Sequence, residues 1–154
     1  MVAGAPPGTH LSIVGPIDDA AYWSKCRDMI DALPAGVSAS YDGEVAPSDV
    51  ASVYAGAHAL LLPTLGENHS FVIEDALRFG CPPLISDRTP WSAIVQQGAG
   101  YVIPLSETGR WHAAIRALNE MNDADWMELR RRSIAIFQTL SGGRVEDYFE
   151  LFRT

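Results

Sequence analysis

Short apolar runs alternate with amphipathic stretches from the start of the chain to about residue 105. That alternation is the sequence form of a parallel sheet with helices on its faces. The runs predict strands at residues 11–14, 37–41, 59–62, 83–86 and 101–103, and the stretches between them predict helices at 21–33, 48–56, 70–79 and 92–97. Helix-stopping residues occupy the joins, Pro34, Gly80 and Gly98 among them. Beyond residue 106 the strand pattern ceases, and helical periodicity covers 108–121, 125–140 and 145–152. The expected fold is a single Rossmann-like, doubly wound α/β domain over 1–154, with a strand and helix core at about 11–105 and a helical tail at about 106–154. Strands 11–14 and 59–62 both read as apolar enough to be buried on two faces.

Composition narrows the picture. At 154 residues the chain holds one sizeable core. Eleven Lys and Arg against nineteen Asp and Glu leave a net charge of −8, a field that repels phosphate backbones and anionic lipids. Nucleic-acid binding is disfavoured, and no segment approaches the ~18 apolar residues of a membrane span. The one basic cluster, Arg130-Arg131-Arg132, reads as a solvated helix face beside core-facing Ile134 and Phe137. Cys26 and Cys81 form no C-x-x-C pair, and the four histidines lack zinc spacings, so no metal or cofactor is expected and both thiols read as reduced core residues of a cytoplasmic protein.

In open α/β sheets, ligands sit beyond the carboxyl ends of the strands. Four junctions qualify. They are the turn Gly15-Pro16-Ile17-Asp18-Asp19, the turn Asp42-Gly43-Glu44-Val45, the stretch PTLGENHSF at 63–71, and Ser86-Asp87-Arg88-Thr89-Pro90-Trp91. In the third, Gly66 permits close backbone approach, and the helix starting near Ser70 offers unpaired N–H groups that suit a phosphate. Glu67 precedes that helix and Asp75 lies one to two turns inside it. At ~1.5 Å of rise per residue, the two acids reach opposite ends of one long ligand and do not act as an acid/base pair on one atom. On spacing alone, dipole-favoured and solvated carboxylates are an equal reading.

The run PTLGENHSFVIEDALRFGCPPLISDRTPW resembles the C-terminal domain of retaining GT-B glycosyltransferases of the large family four, whose signature is Glu, seven residues, Glu, then Ala and Gly-x-Pro. Aligning Ala76-Leu77 and Gly80-Cys81-Pro82 places Glu67 on the first acid and Asp75 on the second; Glu74 is one residue short of the spacing. The resemblance extends to LSIVGPIDDAAYWSKC, GEV, SDRTPW and GAGYVIPL, over about residues 11–122. It implies a domain that binds a nucleotide-diphosphate sugar, transferred with retention. Glu67 would hold sugar hydroxyls as the catalytic carboxylate. The Asn68, His69, Ser70 and Phe71 backbone would approach sugar and diphosphate, with Thr64 and Gly66 in the same loop. Asp75 would hold the ribose, Gly43, Glu44 and Val45 would flank the base, and Gly15 and Pro16 would close the site from the first turn.

The chain departs from that pattern in three ways. Asp75 replaces a Glu, His69-Ser70 replaces an aromatic-Gly, and the strand, the Arg/Lys pair and the helix that precede LSIVG in the family are not among the ten residues before Leu11. Lys25, the sole lysine, lies in the following helix and cannot be the family's diphosphate lysine. The expectation is a donor half lacking the family's first strand and helix and its N-terminal acceptor domain, inactive alone. Strands 11–14 and 59–62 would then either pair directly, the preferred outcome, or be covered by a second copy in a homodimer. A non-catalytic α/β binding or scaffolding module is the alternative. A phospho-receiver fits less well, because the strand at 59–62 ends in Pro63-Thr64 and not in an Asp. Among isolated residues, His69 reads as a helix-start residue, Trp23, Trp111 and Trp126 as core, and Trp91 equally as helix packing or cleft lining.

Overall fold

The computed structural model describes residues 2–142. After a single 3-10 turn at Val2–Gly4, strand β1 (His10–Val14) leads through helix α1 (Ala20–Asp31) to β2 (Ser38–Gly43), which pairs with β1 in parallel. Helix α1 begins where Asp19 accepts hydrogen bonds from the N–H groups of Ala21 and Tyr22 at 2.8 and 2.9 Å, satisfying two donors that the helix leaves open. It is anchored to the sheet by the Trp23 ring, tilted against Tyr41 at 4.8 Å, yet none of its residues is fully buried.

The second half is a separate parallel sheet of β3 (Leu60–Leu62), β4 (Pro83–Ile85) and β5 (Tyr101–Val102). Helices α2 (Val50–Gly56), α3 (Phe71–Arg78), α4 (Ser92–Val95), α5 (Thr108–Glu120) and α6 (Asp123–Gly142) complete the described chain. Successive strand side chains point to opposite faces, and here both faces are packed. Leu60, Leu62, Ile85 and Val102 meet Ile73 and Leu77 of α3, Trp91, Val95 of α4 and Phe137 of α6. Leu61, Leu84 and Tyr101 meet Trp111, Ala114 and Leu118 of α5 on the other side. This half is therefore doubly wound, and its short strands read as uninterrupted apolar runs for that reason. Helix α6 is pinned across it: Ser133 Oγ lies 2.9 Å from the Ala99 carbonyl, the Trp126 indole N–H donates to the His58 carbonyl at 3.3 Å, and the Arg130 guanidinium sits 4.7 Å above the Trp126 ring.

Every predicted element within the described residues is present, with ends moved by at most two residues; the helix predicted at 145–152 lies outside them. Five expectations change. Strands β1 and β3 do not pair with each other: among the described residues β1 pairs only β2, and β3 pairs only β4. Strand β1 is not buried on both faces, since Leu11 and Ile13 are half-buried while His10, Ser12 and Val14 are exposed. Of the two thiols only Cys81 is core, its pKa pushed up to about 12 by burial, which the nearby Arg130 charge opposes; Cys26 is half-buried. Trp111 and Trp91 are fully buried, whereas Trp23 and Trp126 are half-covered. In the basic cluster, Arg131 and Arg132 do lie on a solvated face, both paired to Glu128, but Arg130 turns inward and donates to the Phe79 carbonyl at 3.3 Å.

Candidate functional site

The stretch after β3 is shaped by two hydroxyls. Ser86 Oγ, just beyond β4, donates to the Thr64 carbonyl at 2.6 Å and ties the carboxyl ends of the two strands together. Thr64 Oγ1 in turn donates to the Gly66 carbonyl at 2.9 Å and accepts the Gly66 N–H at 3.2 Å, folding residues 64–66 into a tight turn. Leu65 is thrown outward, 89% exposed, and Glu67 follows half-buried. Gly66 has no positive φ, and a Cβ there would meet nothing within 4 Å. The residue faces open space, so its small size leaves room for an approaching ligand and relieves no strain.

Helix α3 starts at Phe71 from a buried Ser70 whose side chain makes no capping hydrogen bond, in contrast to Asp19 at the head of α1. The N–H groups of its first turn are thus not covered by a side chain of their own N-cap. Two residues reinforce the turn. His69 Nε2 lies 3.2 Å from Glu74 Oε2, and the His69 ring meets Phe71 edge-on at 4.8 Å and stands 6.0 Å from the Trp91 ring. Phe71 itself is 70% exposed. Glu74, off the expected spacing, is therefore bent back on the loop that carries Glu67.

Asp75 lies further along α3, half-buried. Burial raises its carboxyl above the ordinary range; Arg78 opposes the shift and the neighbouring charge of Glu74 adds to it. Tyr54 of α2 packs close by, its hydroxyl donating to the Val72 carbonyl at 3.0 Å. Burial, with the Asp75 charge adding, pushes that phenol up to about 12, so it remains a neutral donor.

The predicted residues fall into two groups. At the end of the β1–β2 sheet, the Gly15 N–H donates to the Gly43 carbonyl at 2.9 Å and the Tyr41 hydroxyl donates to the Gly15 carbonyl at 2.8 Å. Gly15 and Gly43 both hold positive φ, 132° and 74°, so this linked pair of turns requires glycine. Pro16 follows one turn, and Glu44 and Val45 follow the other. The second group, Thr64, Gly66, Glu67, Asn68, His69, Ser70, Phe71 and Asp75, occupies the end of β3 and the start of α3. Arg88, at the fourth junction, is exposed and engaged with Asp87 at 3.7 Å. Trp91 packs in the core, which decides between its two readings. Sequence reasoning missed the Glu74 to His69 contact and the Tyr54 neighbour of Asp75. A five-residue separation across a helix start carries no periodic signal, and Tyr54 is brought in only by tertiary packing.

Glycosyl transferases group 1 match the chain over residues 2–120, most of its length. The chain belongs to that family. No curated protein matches in sequence. Among solved structures, the crystal structure of AviGT4, a glycosyltransferase involved in avilamycin A biosynthesis, is similar with a TM-score of 0.61 and 20% identity, over 98% of this chain and 46% of that one. At that identity the likeness concerns the fold, and this group 1 chain spans less than half the length of the protein it matches. Among the described residues, no helix is long and apolar enough to cross a membrane.

Proposed function

We propose that this chain is the nucleotide-sugar-binding half of a retaining glycosyltransferase. The observation that carries the reading is the uncapped start of α3, reached from the end of a half-buried parallel strand through a turn that holds Glu67 on one side and leads to Asp75 on the other. The N–H groups at the head of such a helix suit a diphosphate. Glu67 would hold sugar hydroxyls, Asp75 the ribose, and the linked turns at Gly15, Pro16, Gly43, Glu44 and Val45 the base end of the donor. Taken alone, the chain would transfer no sugar.

Binding by the chain alone is expected to be weak. A diphosphate enters a domain of net charge −8, and the nearest cation of the fourth junction, Arg88, already faces Asp87. Titrating nucleoside diphosphates and their sugar conjugates into isotopically labelled chain should give millimolar affinity, with amide shifts at residues 64–75 and 43–45 that are lost in Asp75→Ala. Shifts confined to other surfaces, or none at tens of millimolar, would favour the non-catalytic binding or scaffolding module. Micromolar affinity would mean that another group has replaced the family's cations.

A further inference from the structure

The segment ahead of β1 reaches from one half of the chain to the other. Its 3-10 turn at Val2–Gly4 is closed by the Ala5 N–H, which donates to the Val2 carbonyl at 2.8 Å, and Ala5 itself is buried. Gly4 lies so tightly against the half-buried His112 of α5 that a Cβ there would overlap Cε1, Nε2 and Nδ1 of the imidazole ring. Helix α5 belongs to the second half, since its Trp111, Ala114 and Leu118 pack on Leu84 of β4.

The other end of the segment is tied to the first half. The Gly8 N–H donates to the Gly36 carbonyl at 2.6 Å, the Ser38 N–H donates to the Thr9 carbonyl at 3.0 Å, and Thr9 folds back on the Pro6 carbonyl through its N–H at 3.2 Å and its hydroxyl at 2.8 Å. Pro7 meets Gly36, where a Cβ would stand 3.0 Å from the Pro7 Cβ. These ties sit at the amino ends of β1 and β2, the far end of both strands from the Gly15 and Gly43 turns. A separate tie, the Tyr54 hydroxyl to the Val72 carbonyl at 3.0 Å, joins α2 to the first turn of α3. The two sheets share no strand pairing among the described residues, so contacts of this kind hold the first half in place.

We propose that residues 2–9 are a clasp on the β1–β2 half, with Gly4 on the His112 ring as its catch. Closed, the clasp holds the amino ends of β1 and β2 to α5. Released, the half turns about its connection through α2 and carries the Gly15 and Gly43 turns with it. The imidazole supplies a flat seat, and a backbone without a Cβ supplies the close approach. Gly4 has no positive φ, so a side chain at this position acts through the ring it displaces and not through backbone strain. The inference goes beyond the donor reading and does not depend on it, because the clasp governs the motion of this half whether or not a nucleotide binds there.

Amide exchange followed by mass spectrometry on the whole chain tests the clasp. Gly4→Val, which cannot sit on the ring, should speed exchange at residues 10–43 by about tenfold and leave residues 60–105 unchanged. His112→Ala removes the seat while favouring the helix that carries it, and should do the same. The two together should speed exchange no more than either alone, because one catch is lost in all three chains; independent losses of packing would instead multiply. Gly109→Ala, in the same helix where a Cβ meets nothing within 4 Å, should speed exchange nowhere. Circular dichroism verifies that each variant is folded. Exchange at 10–43 that Gly4→Val leaves unchanged in a folded chain, effects of the two substitutions that multiply, or equal acceleration at 60–105 would overturn the proposal.

Discussion

Asp75 is the residue whose environment and proposed role pull in opposite directions. Burial raises its pKa, so the folded state binds its proton more tightly than the unfolded state does. The sign follows from linkage: between the ordinary carboxylate range and the raised value the native state holds the extra proton, so the contribution of Asp75 is present at low pH and is lost as pH rises through the folded pKa. Above that window the charged carboxylate is a cost to folding. Asp75→Asn is therefore expected to melt at an equal or higher temperature than the wild-type chain near pH 7. The difference should shrink towards pH 4, while nucleotide-induced shifts in the variant weaken. Thermal melts at the two pH values check the first part, and a lower melting temperature at pH 7 would show the charge to be held by a favourable partner. A group kept at some expense in the apo fold is what a ligand-facing carboxylate requires.

At the level of elements, glycines set how closely strands and helices meet. A Cβ on Gly100 would overlap the Pro83 carbonyl oxygen, a backbone atom that cannot swing away. Gly80 ends α3 at φ 68°, and a Cβ there would press on Ile134 at 3.0 Å. Gly100→Ala is expected to destabilise the β4–β5 pair by about 2 kcal/mol or more, as overpacking at a backbone contact does, and Gly80→Ala by about 1 kcal/mol or more through the strained φ. Urea unfolding separates the two from a surface glycine such as Gly109, where a Cβ meets nothing within 4 Å. The elements themselves were legible in the sequence because Leu60-Leu61-Leu62 and Pro83-Leu84-Ile85 are apolar without interruption, and two-faced burial leaves that mark. The same reasoning failed at β1. Its Leu11 and Ile13 suggested a buried strand, while His10 and Ser12 between them already announced one wet face. Of the candidate site, the turn residues and the two acids could be read from spacing and resemblance. The His69 and Glu74 contact, the linkage of Gly15 to Gly43 and the proximity of Tyr54 to Asp75 depend on side-chain direction and packing, which spacing does not encode.

For the whole molecule, the open edges of β1 and β3 matter most. Each strand has a single partner among the described residues, so its other edge presents unpaired backbone groups of the kind that recruit another strand. Direct pairing being absent, the chain by itself is expected to self-associate. Size-exclusion with light scattering at tens of micromolar should give a dimer or larger species, and a strict monomer would mean that these edges are protected in some other way. The two halves also differ in how they resist opening. Helix α1 buries no residue completely and β1 alternates with solvent, whereas the sheet of β3, β4 and β5 is sandwiched between Trp91 on one side and Trp111 on the other. Amide exchange should accordingly release residues 10–43 through a sub-global opening well before residues 60–118, so that the turns at Gly15 and Gly43 come and go while Glu67 and Asp75 stay in place. On the proposed assignment, a donor meeting this chain would find its sugar end received by a settled surface and its base end by one that assembles only part of the time, and whatever closes the edge of β1 would act as a clutch on nucleotide affinity.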